Sequence, residues 1–438
     1  MNDFLPGISS ALAEFSFKTA LDFFIKNQKN SLFSPYSLFL ALFLSSALNP
    51  DISPRILKHL NFPNTKISPG DQIKQLRYFS KSVETVPSLP KNINSSSFNR
   101  FISKYDLNED QKFITYIILN RIINGISNND STDKEAKISS FLDKVKEDPD
   151  ETSLSQKAQN FKKIIKEDIH KYPLIIGSNH LFLNNNAEFS IPAPITKKYR
   201  NYIVRTEFPE PGYKVINKFV ENSTRGLIHD FISASDLPSS SSYFIANTIY
   251  FKGTWKHQFK VLQKEHIFNT INGNEEKMEF LKGTDDFKYY EDDDLLYIKL
   301  QYYKCSFSYE IIMPQKIKRF SSIKTQLFDS NLLDKISKEA TYTNILLKMP
   351  KFTIKTDLMN FDHIVNIQGA DSIIQKAVII VDEKGTKAAA ATGVIARGIN
   401  LPKTPKKVTI NQPFIFMIRD TERNIPLFIG EFVNPPKE

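Results

Sequence analysis

Apolar residues recur along this chain with both helical and strand periods. Between residues 10 and 26 they repeat at helical spacing, which predicts an amphipathic helix. Residues 154–171 show the same spacing, and a shorter helix is predicted at 54–60, before a proline. Apolar runs of strand length stand at 179–183, 243–251, 377–381, 408–418 and 427–433. The pattern therefore predicts a chain that mixes helices and strands, without internal repeats.

One long stretch departs from this pattern. Residues 66–156 are polar and rich in asparagine and serine, with loop-like segments at 92–97 and 127–133. Within the stretch, residues 113–123 are apolar enough to predict one buried helix. We interpret residues 66–156 as a partly disordered surface insertion.

The most unusual segment follows the apolar run at 377–381. Four consecutive alanines occupy 388–391, with Gly385 before them and Gly393 after them. Small side chains can enter a narrow space between strands, whereas a proline there would lack the backbone donor that a central strand needs. The segment therefore predicts a loop that can become a central strand.

The sequence VDEKGTKAAAATG at 381–393 resembles the hinge of the reactive loop in serpins, inhibitors that trap proteases by inserting a cleaved loop into a sheet. Blocks that resemble other serpin segments follow the family order: NSLFSPYS at 30–37, NTIYFKGTW at 247–255 and PLFIGEFVNP at 426–435. The resemblance implies an α+β fold with three sheets ringed by eight or nine helices. It also implies a single domain, 1–438, with an exposed reactive-centre loop at 384–405.

The resemblance assigns roles to individual residues. The hinge that would insert comprises Glu383, Gly385, Thr386, Lys387, Ala388, Ala389, Ala390 and Ala391. The shutter is a polar cluster under the sheet centre and comprises Ser34, Ser37, Asn247 and Gln375. The breach is the place where insertion begins and comprises Trp255 and Lys351. Lys351 is expected to pair with Glu383, and side chains 386, 388 and 390 should share one inward face after insertion.

Three features depart from the family pattern. The stretch from Lys351 to Asp382 is much shorter than the family norm, which implies that a helix linking two strands of the main sheet is lost or trimmed. Gln375 stands where the family usually has a histidine, and a glutamine amide can still donate and accept hydrogen bonds. Lys387 replaces the usual acidic residue of the hinge.

Two bonds compete as the bait that a protease would cut. Glu383 is the first of seventeen residues that end at Ile399, so the family count gives the Ile399–Asn400 bond and an apolar, elastase-like target. The Arg397–Gly398 bond lies two residues earlier, and an arginine suits the acidic pocket of a trypsin-like enzyme. The sequence leaves both open.

Function and partners follow from the resemblance. The first hypothesis is a monomeric inhibitor that forms a covalent complex with a serine protease. One alternative is a non-inhibitory relative that acts as a binding or carrier protein. Another is a serpin that binds heparin-like polysaccharide through Lys162, Lys163, Lys166 and His170, which lie on one predicted helix.

Composition narrows these classes further. The formal net charge is +10, which favours acidic partners, and the single cysteine excludes an internal disulfide. The sequence contains no HExxH metal motif, no GxSxG elbow and no glycine-rich phosphate loop, so we expect no enzyme, metal site or cofactor. It also contains no visible secretory signal and no membrane-spanning run, which predicts a cytoplasmic protein or unconventional release.

Overall fold

The computed structural model gives the architecture of most of the chain. The described residues are 4–24, 29–62, 66–83, 96–108, 111–112, 114–116, 118–119, 134–146, 153–168, 172–187, 191–193, 195, 203–303, 305–329, 332–356, 359–360, 374–386 and 404–436. Helices and strands mix along these residues, so the predicted α+β class is confirmed.

The helices include those that the apolar spacing predicts. The α-helices are α1 (Phe4–Phe24), α2 (Pro35–Leu48), α3 (Ser53–His59), α4 (Pro69–Val83), α5 (Ser96–Ile102), α6 (Lys134–Lys146), α7 (Ser153–Lys163), α8 (Gly212–Ser223), α9 (Phe320–Asp329) and α10 (Leu332–Glu339). A π-helical turn, Ile164–Asp168, continues α7. Helix α1 begins earlier than the spacing predicts, at Phe4.

Helix α2 lies at the centre of the molecule. Ser34 caps it, because its hydroxyl accepts a hydrogen bond from the backbone N–H of Ser37 at 3.1 Å, and Pro35 occupies the first turn. Every residue of the helix is buried. An interior helix needs no polar face, which explains why this segment is apolar on all sides.

The strands run from the N-terminal third to the end of the chain. They are β1 (Ser31–Phe33), β2 (Leu174–Asn184), β3 (Ile203–Thr206), β4 (Tyr243–Thr254), β5 (Lys260–Val261), β6 (His266–Asn269), β7 (Glu275–Met278), β8 (Phe280–Glu291), β9 (Leu295–Gln301), β10 (Phe307–Pro314), β11 (Thr341–Pro350), β12 (Phe352–Lys355), β13 (Met359–Asn360), β14 (Ile374–Gln375), β15 (Val378–Val381), β16 (Gly385–Thr386), β17 (Lys406–Thr409), β18 (Phe414–Asp420) and β19 (Ile425–Phe432).

Two sheets organise the fold. The larger sheet has the order β1-β19-β18-β10-β9-β8-β11-β17, with β5 paired to β8. The smaller sheet has the order β16-β4-β2-β3, and a separate antiparallel ribbon joins β12 to β15. Their inner faces, with α1 and α2, enclose the main hydrophobic core.

The C-terminal strands differ from the prediction in one respect. Residues 408–418 were expected to form one strand, but they divide between β17 and β18. Strand β17 pairs in parallel with β11, whereas β18 pairs antiparallel with β10. Pro413, which has no backbone N–H, lies between them, directly before the first residue of β18.

The stretch 66–156 contains more ordered structure than its composition indicates. In α4, Ile73, Leu76 and Phe79 are buried in the main core. Helices α5, α6 and α7 share a separate apolar core that includes Phe98, Phe101, Leu119, Phe141 and Phe161. The boundaries of an insertion stay a prediction, but these described helices bury apolar side chains. Asparagine and serine between the apolar positions concealed the helical spacing of α4, α5 and α6, whereas α7 was predicted at 154–171.

The additional helices are attached to the smaller sheet. Ile114 packs with Leu174, Ile176 and Tyr250 in a cluster to which Ile164 also contributes. This cluster covers one face of β2 and β4. The other face of β4, at Phe251, belongs to the main core.

A buried ion pair joins the C-terminal strands to the helices. Lys324 on α9 contacts Glu431 on β19 at 3.0 Å, and their side chains are 5% and 0% exposed. The Lys324 ammonium also donates to the backbone carbonyl of Phe24, at the end of α1. Burial raises the pKa of Glu431 from 4.5 to about 7, although Lys324 opposes that shift.

The raised pKa makes the free energy of unfolding depend on pH. A carboxyl with a raised pKa binds its proton more tightly in the folded state, so its contribution is complete below pH 4.5 and is lost as the pH rises towards 7. We expect this loss to reach about 3 kcal/mol. Urea unfolding of the wild type and Glu431→Gln across pH 5 to 8 checks it. Parallel pH profiles for the two proteins would contradict the assignment.

Candidate functional site

The chain reverses direction where the alanine-rich segment begins. Strand β15 ends at Val381, and after a tight turn β16 runs antiparallel to β4, with Gly385 opposite Thr254 and Thr386 opposite Gly253. The first residues of the predicted hinge therefore already extend the smaller sheet as an added strand. The structure brings β16 to the end of β4, beside Trp255.

Backbone and side-chain hydrogen bonds hold the turn from Asp382 to Gly385. The Asp382 N–H donates to the Gly385 carbonyl at 3.0 Å. One carboxylate oxygen of Asp382 accepts from the N–H groups of Lys384 and Gly385, at 2.9 and 3.0 Å. Burial raises the pKa of the Asp382 carboxyl, while these two donors oppose that shift. The carboxylate thus closes the turn.

Trp255 ties the turn to the rest of the molecule. Its indole N–H donates to the Asp382 carbonyl at 2.9 Å, and its backbone N–H donates to the Lys384 carbonyl at 3.0 Å. The indole is 2% exposed and stacks on Tyr302, with ring centroids 4.8 Å apart and planes 9° apart. The predicted breach residue is therefore in direct contact with the turn in which the hinge begins.

Two glycines permit the close approach of β16 to β4. A Cβ atom at Gly385, where φ is +153°, would lie 2.0 Å from the Gly253 carbonyl oxygen. A Cβ atom at Gly253 would lie 2.6 Å from the ring of Tyr302. Any side chain at position 385 must therefore push the two backbones apart.

Lys351 and Glu383 meet as the resemblance implied. Their charged groups are 3.7 Å apart, which is an ion pair rather than a hydrogen bond, and Lys351 also lies 3.4 Å from Glu279. The side chains of Lys351 and Glu383 are about one-third exposed. Exposed pairs of this kind contribute less than about 1 kcal/mol, so this pair orients the turn more than it stabilises the fold.

A narrow apolar cleft lies between β4 and β15. Its walls include Ile249, Tyr250 and Phe251 on one side and Val378 and Ile379 on the other, and its free volume is about 20 Å³. That is room for roughly one water molecule. Along the described residues of the two strands, no backbone ladder joins them. A further strand would therefore need β4 and β15 to separate, but no ladder between them would have to break.

The shutter residues Ser34 and Gln375 are joined by reciprocal hydrogen bonds. The Gln375 side-chain carbonyl accepts from the Ser34 N–H at 2.8 Å, and its amide donates to the Ser34 carbonyl at 3.1 Å. The Ser34 hydroxyl donates to the Leu427 carbonyl at 2.6 Å. The Ser37 hydroxyl is buried without a hydrogen-bond partner among the described residues, and the Asn247 side chain lies outside them.

Replacing Gln375 should destabilise the protein. Gln375→Ala leaves the buried N–H and carbonyl of Ser34 without those partners, which should cost about 1–3 kcal/mol. Chemical denaturation followed by fluorescence measures this loss. The matched control is Gln315→Ala, because Gln315 hydrogen-bonds at an exposed site. A Gln375→Ala effect no larger than the control would contradict the reciprocal pairing.

The predicted polyanion site is partly described. Lys162, Lys163 and Lys166 are exposed on α7 and its π-helical extension, opposite the buried Phe161 and Ile165. His170 lies outside the described residues. The three lysines therefore form a basic face that the solvent reaches.

Several predicted site residues lie outside the part of the chain that the structure describes. These are Lys387, Ala388, Ala389, Ala390, Ala391, Arg397, Gly398, Ile399 and Asn400, together with the side chain of Thr386. Among the residues that the structure does describe, no cluster could hold a metal ion, and no helix is long and apolar enough to cross a bilayer.

Sequence reasoning missed the central residue of the turn. Asp382 had no assigned role, although an aspartate before a glycine-containing turn is a known signal for side-chain capping of the backbone. It also missed Tyr302, whose stacking on Trp255 joins distant parts of the chain.

Comparisons with known proteins agree on one family. The family model described as Serpin (serine protease inhibitor) matches residues 126–369 and 359–435. An uncharacterized serpin-like protein of fowlpox virus (strain NVSL) is 32% identical over 244 residues, which cover 50% of this chain and 68% of the relative. Human Serpin B4 is 26% identical over 268 residues, which cover 55% of this chain and 69% of the relative.

Solved structures share the fold. Tengpin, a thermophilic serpin in its native state, aligns with a TM-score of 0.66 at 19% identity, covering 99% of this chain and 95% of tengpin. Human thyroxine-binding globulin aligns with a TM-score of 0.67 at 17% identity, covering 99% of this chain and 100% of the globulin.

Proposed function

The chain belongs to the serpin family, and from that premise we propose that it inhibits serine proteases by inserting its reactive-centre loop into the smaller sheet. The observation that carries the proposal is the position of β16. The hinge begins as an added strand on β4, next to an apolar cleft that a longer strand would occupy. Strand addition of this kind satisfies backbone donors and acceptors without new side-chain chemistry.

The hinge composition suits that cleft. If the register of β16 continued, Ala388 would stand opposite Phe251 and Ala390 opposite Ile249, on the face of β4 that packs against the main core. Opposing residues of an antiparallel pair share a face, and alanine adds little volume there. Lys387 would stand opposite Lys252, and like charges directly opposite disfavour pairing. The hinge therefore combines a favourable apolar face with one unfavourable charge.

The proposed reaction follows from loop insertion. The protease serine hydroxyl adds to the carbonyl carbon of the bait residue and loses its proton. The following residue leaves as an amine that takes up a proton, and an ester joins inhibitor to protease. The freed hinge then inserts between β4 and β15. The attached protease moves with it and is distorted before water can hydrolyse the ester. This requires a native state that is metastable relative to the inserted state.

A mixing experiment tests this function. The protein is incubated with trypsin, chymotrypsin or elastase and run on a denaturing gel after boiling. Inhibition by trapping predicts a band at the summed mass and a released C-terminal peptide. Complete cleavage without that band, for every protease, would sink the proposal and favour the non-inhibitory carrier alternative.

The identity of the bait residue is tested separately. If the protease cuts at Arg397–Gly398, Arg397→Ala should abolish the trypsin complex and reduce its association rate by at least about 100-fold, because the acidic pocket loses its ion pair. N-terminal sequencing of the released peptide gives Gly398 in that case and Asn400 in the other. Unchanged trypsin inhibition by Arg397→Ala would exclude Arg397 as the bait.

A second candidate function rests on the exposed basic face of α7. Lys162, Lys163 and Lys166 have the spacing and exposure to contact sulfate groups. Retention on a heparin column at physiological salt, lost when the three lysines are neutralised, would support polysaccharide binding. Elution at low salt would oppose it, because polyanion contacts depend steeply on salt.

A further inference from the structure

In the turn from Asp382 to Gly385, a side-chain oxygen accepts the hydrogen bond that a backbone carbonyl usually accepts. In a two-residue hairpin, the carbonyl of the first residue commonly accepts from the N–H three residues later. Here the Gly385 N–H donates to the Asp382 carboxylate at 3.0 Å, whereas the Asp382 carbonyl accepts from the Trp255 indole at 2.9 Å. The side chain of Asp382 has taken the place of its own carbonyl.

We propose that Asp382 is the positioning residue of loop insertion, because its carboxylate closes the turn and leaves its carbonyl free to bind Trp255. This inference rests on the proposed inhibitory function. It identifies a residue that positions the loop for insertion into the smaller sheet. Without the carboxylate, one carbonyl would face two donors, the Gly385 N–H and the indole N–H. Either the turn or its attachment to Trp255 would then weaken.

The neighbouring contacts explain why this position matters for insertion. The Phe259 N–H donates to the Glu383 carbonyl at 2.9 Å, and the Trp255 N–H donates to the Lys384 carbonyl at 3.0 Å. Together with the indole, these donors hold the turn against the residues that follow β4. The turn therefore places Gly385 opposite Thr254. This pairing would set the register of every later hinge residue against β4.

The chain contains a matched turn away from the hinge. Between β8 and β9, the Asp292 N–H donates to the Leu295 carbonyl at 3.0 Å. The Asp292 carboxylate accepts from the N–H groups of Asp294 and Leu295, at 2.9 Å each. Asp292→Ala thus removes the same kind of capping without touching the proposed insertion path.

The rate of insertion after loop cleavage tests the inference. Trp255 is the only tryptophan in the sequence, so its fluorescence reports directly on the turn. Each protein is mixed with excess trypsin, and the fluorescence change is followed by stopped flow alongside the gain in heat resistance. We expect Asp382→Ala to slow insertion about tenfold, which is the scale of one hydrogen bond, and to raise the moles of inhibitor consumed per mole of protease. Asp382→Asn, which keeps the accepting oxygen, should stay within about twofold of the wild type.

The outcomes separate this inference from the proposed function. Equal insertion rates for the wild type and Asp382→Ala, with complexes still formed, would contradict the role of Asp382. The proposed inhibition by loop insertion would stand. An equal slowing by Asp292→Ala would mean general destabilisation and would overturn the role of Asp382 as well. If the cleaved wild type gains no heat resistance and traps no protease, loop insertion itself fails, and the inference fails with it.

Discussion

If the protein inhibits proteases as proposed, Gly385→Ala should convert it from an inhibitor into a substrate. The added methyl group would lie 2.0 Å from the Gly253 carbonyl oxygen and 2.7 Å from the Thr254 Cα, in contacts with backbone that cannot rotate away. Strand β16 would have to leave β4, and the hinge would lose its starting register. Hydrolysis of the ester would then outpace insertion. We expect at least a tenfold rise in the moles of inhibitor consumed per mole of trypsin, with the cleavage rate unchanged.

The control for this substitution is Gly273→Ala. Gly273 also has a positive φ, +82°, but a Cβ atom there meets nothing within 4 Å. Its cost should be confined to local backbone strain, and trapping should continue as in the wild type. Titration of trypsin activity against inhibitor concentration measures both variants. Full trapping by Gly385→Ala would contradict the close packing of β16 against β4.

Lys324→Met should produce the largest loss of stability. Removing the ammonium leaves the buried Glu431 carboxylate without its ion-pair partner, while the Phe24 carbonyl loses its donor. Breaking one half of a buried pair costs about 3–5 kcal/mol. We expect this loss in urea unfolding at pH 8, followed by the fluorescence of Trp255. The loss should shrink at pH 5, where Glu431 can take up a proton.

Two further variants locate the cause of that loss. The double variant Lys324→Met with Glu431→Leu should recover most of the stability, because an apolar pair needs no buried counter-charge. Lys335→Met changes an exposed lysine on the adjacent helix and should cost less than about 0.5 kcal/mol. Equal losses in the single and double variants would mean that packing, rather than the unpaired charge, determines the effect.

The hinge prediction rests on local chemistry, and for residues 387–391 it stays a prediction. Small residues and the absence of proline can be read from a short segment without knowing its neighbours. The pairing of Lys351 with Glu383 and the place of Gln375 beside Ser34 were expected from family blocks, and the geometry places them together. The bait bond stays open between Ile399 and Arg397.

Other features depend on contacts that sequence does not reveal. The Trp255 indole binds a carbonyl 127 residues away, and Lys324 meets Glu431 across 107 residues. Neither pair shares a local pattern. Helices α5 and α6 were missed for a different reason. Their apolar positions are sparse, and only packing among α5, α6 and α7 makes those positions a core.

That separate core also affects how unfolding will be observed. Phe98, Phe141 and Phe161 pack among themselves, whereas Trp255 belongs to the main core. Regions with their own apolar core can open as a cooperative unit while the rest stays closed. Tryptophan emission reports on the main core alone, but far-ultraviolet circular dichroism sums the helices of both. Unfolding transitions followed by the two probes therefore need not coincide. We expect the amide hydrogens of α5 to α7 to exchange at rates that differ from those of the main core.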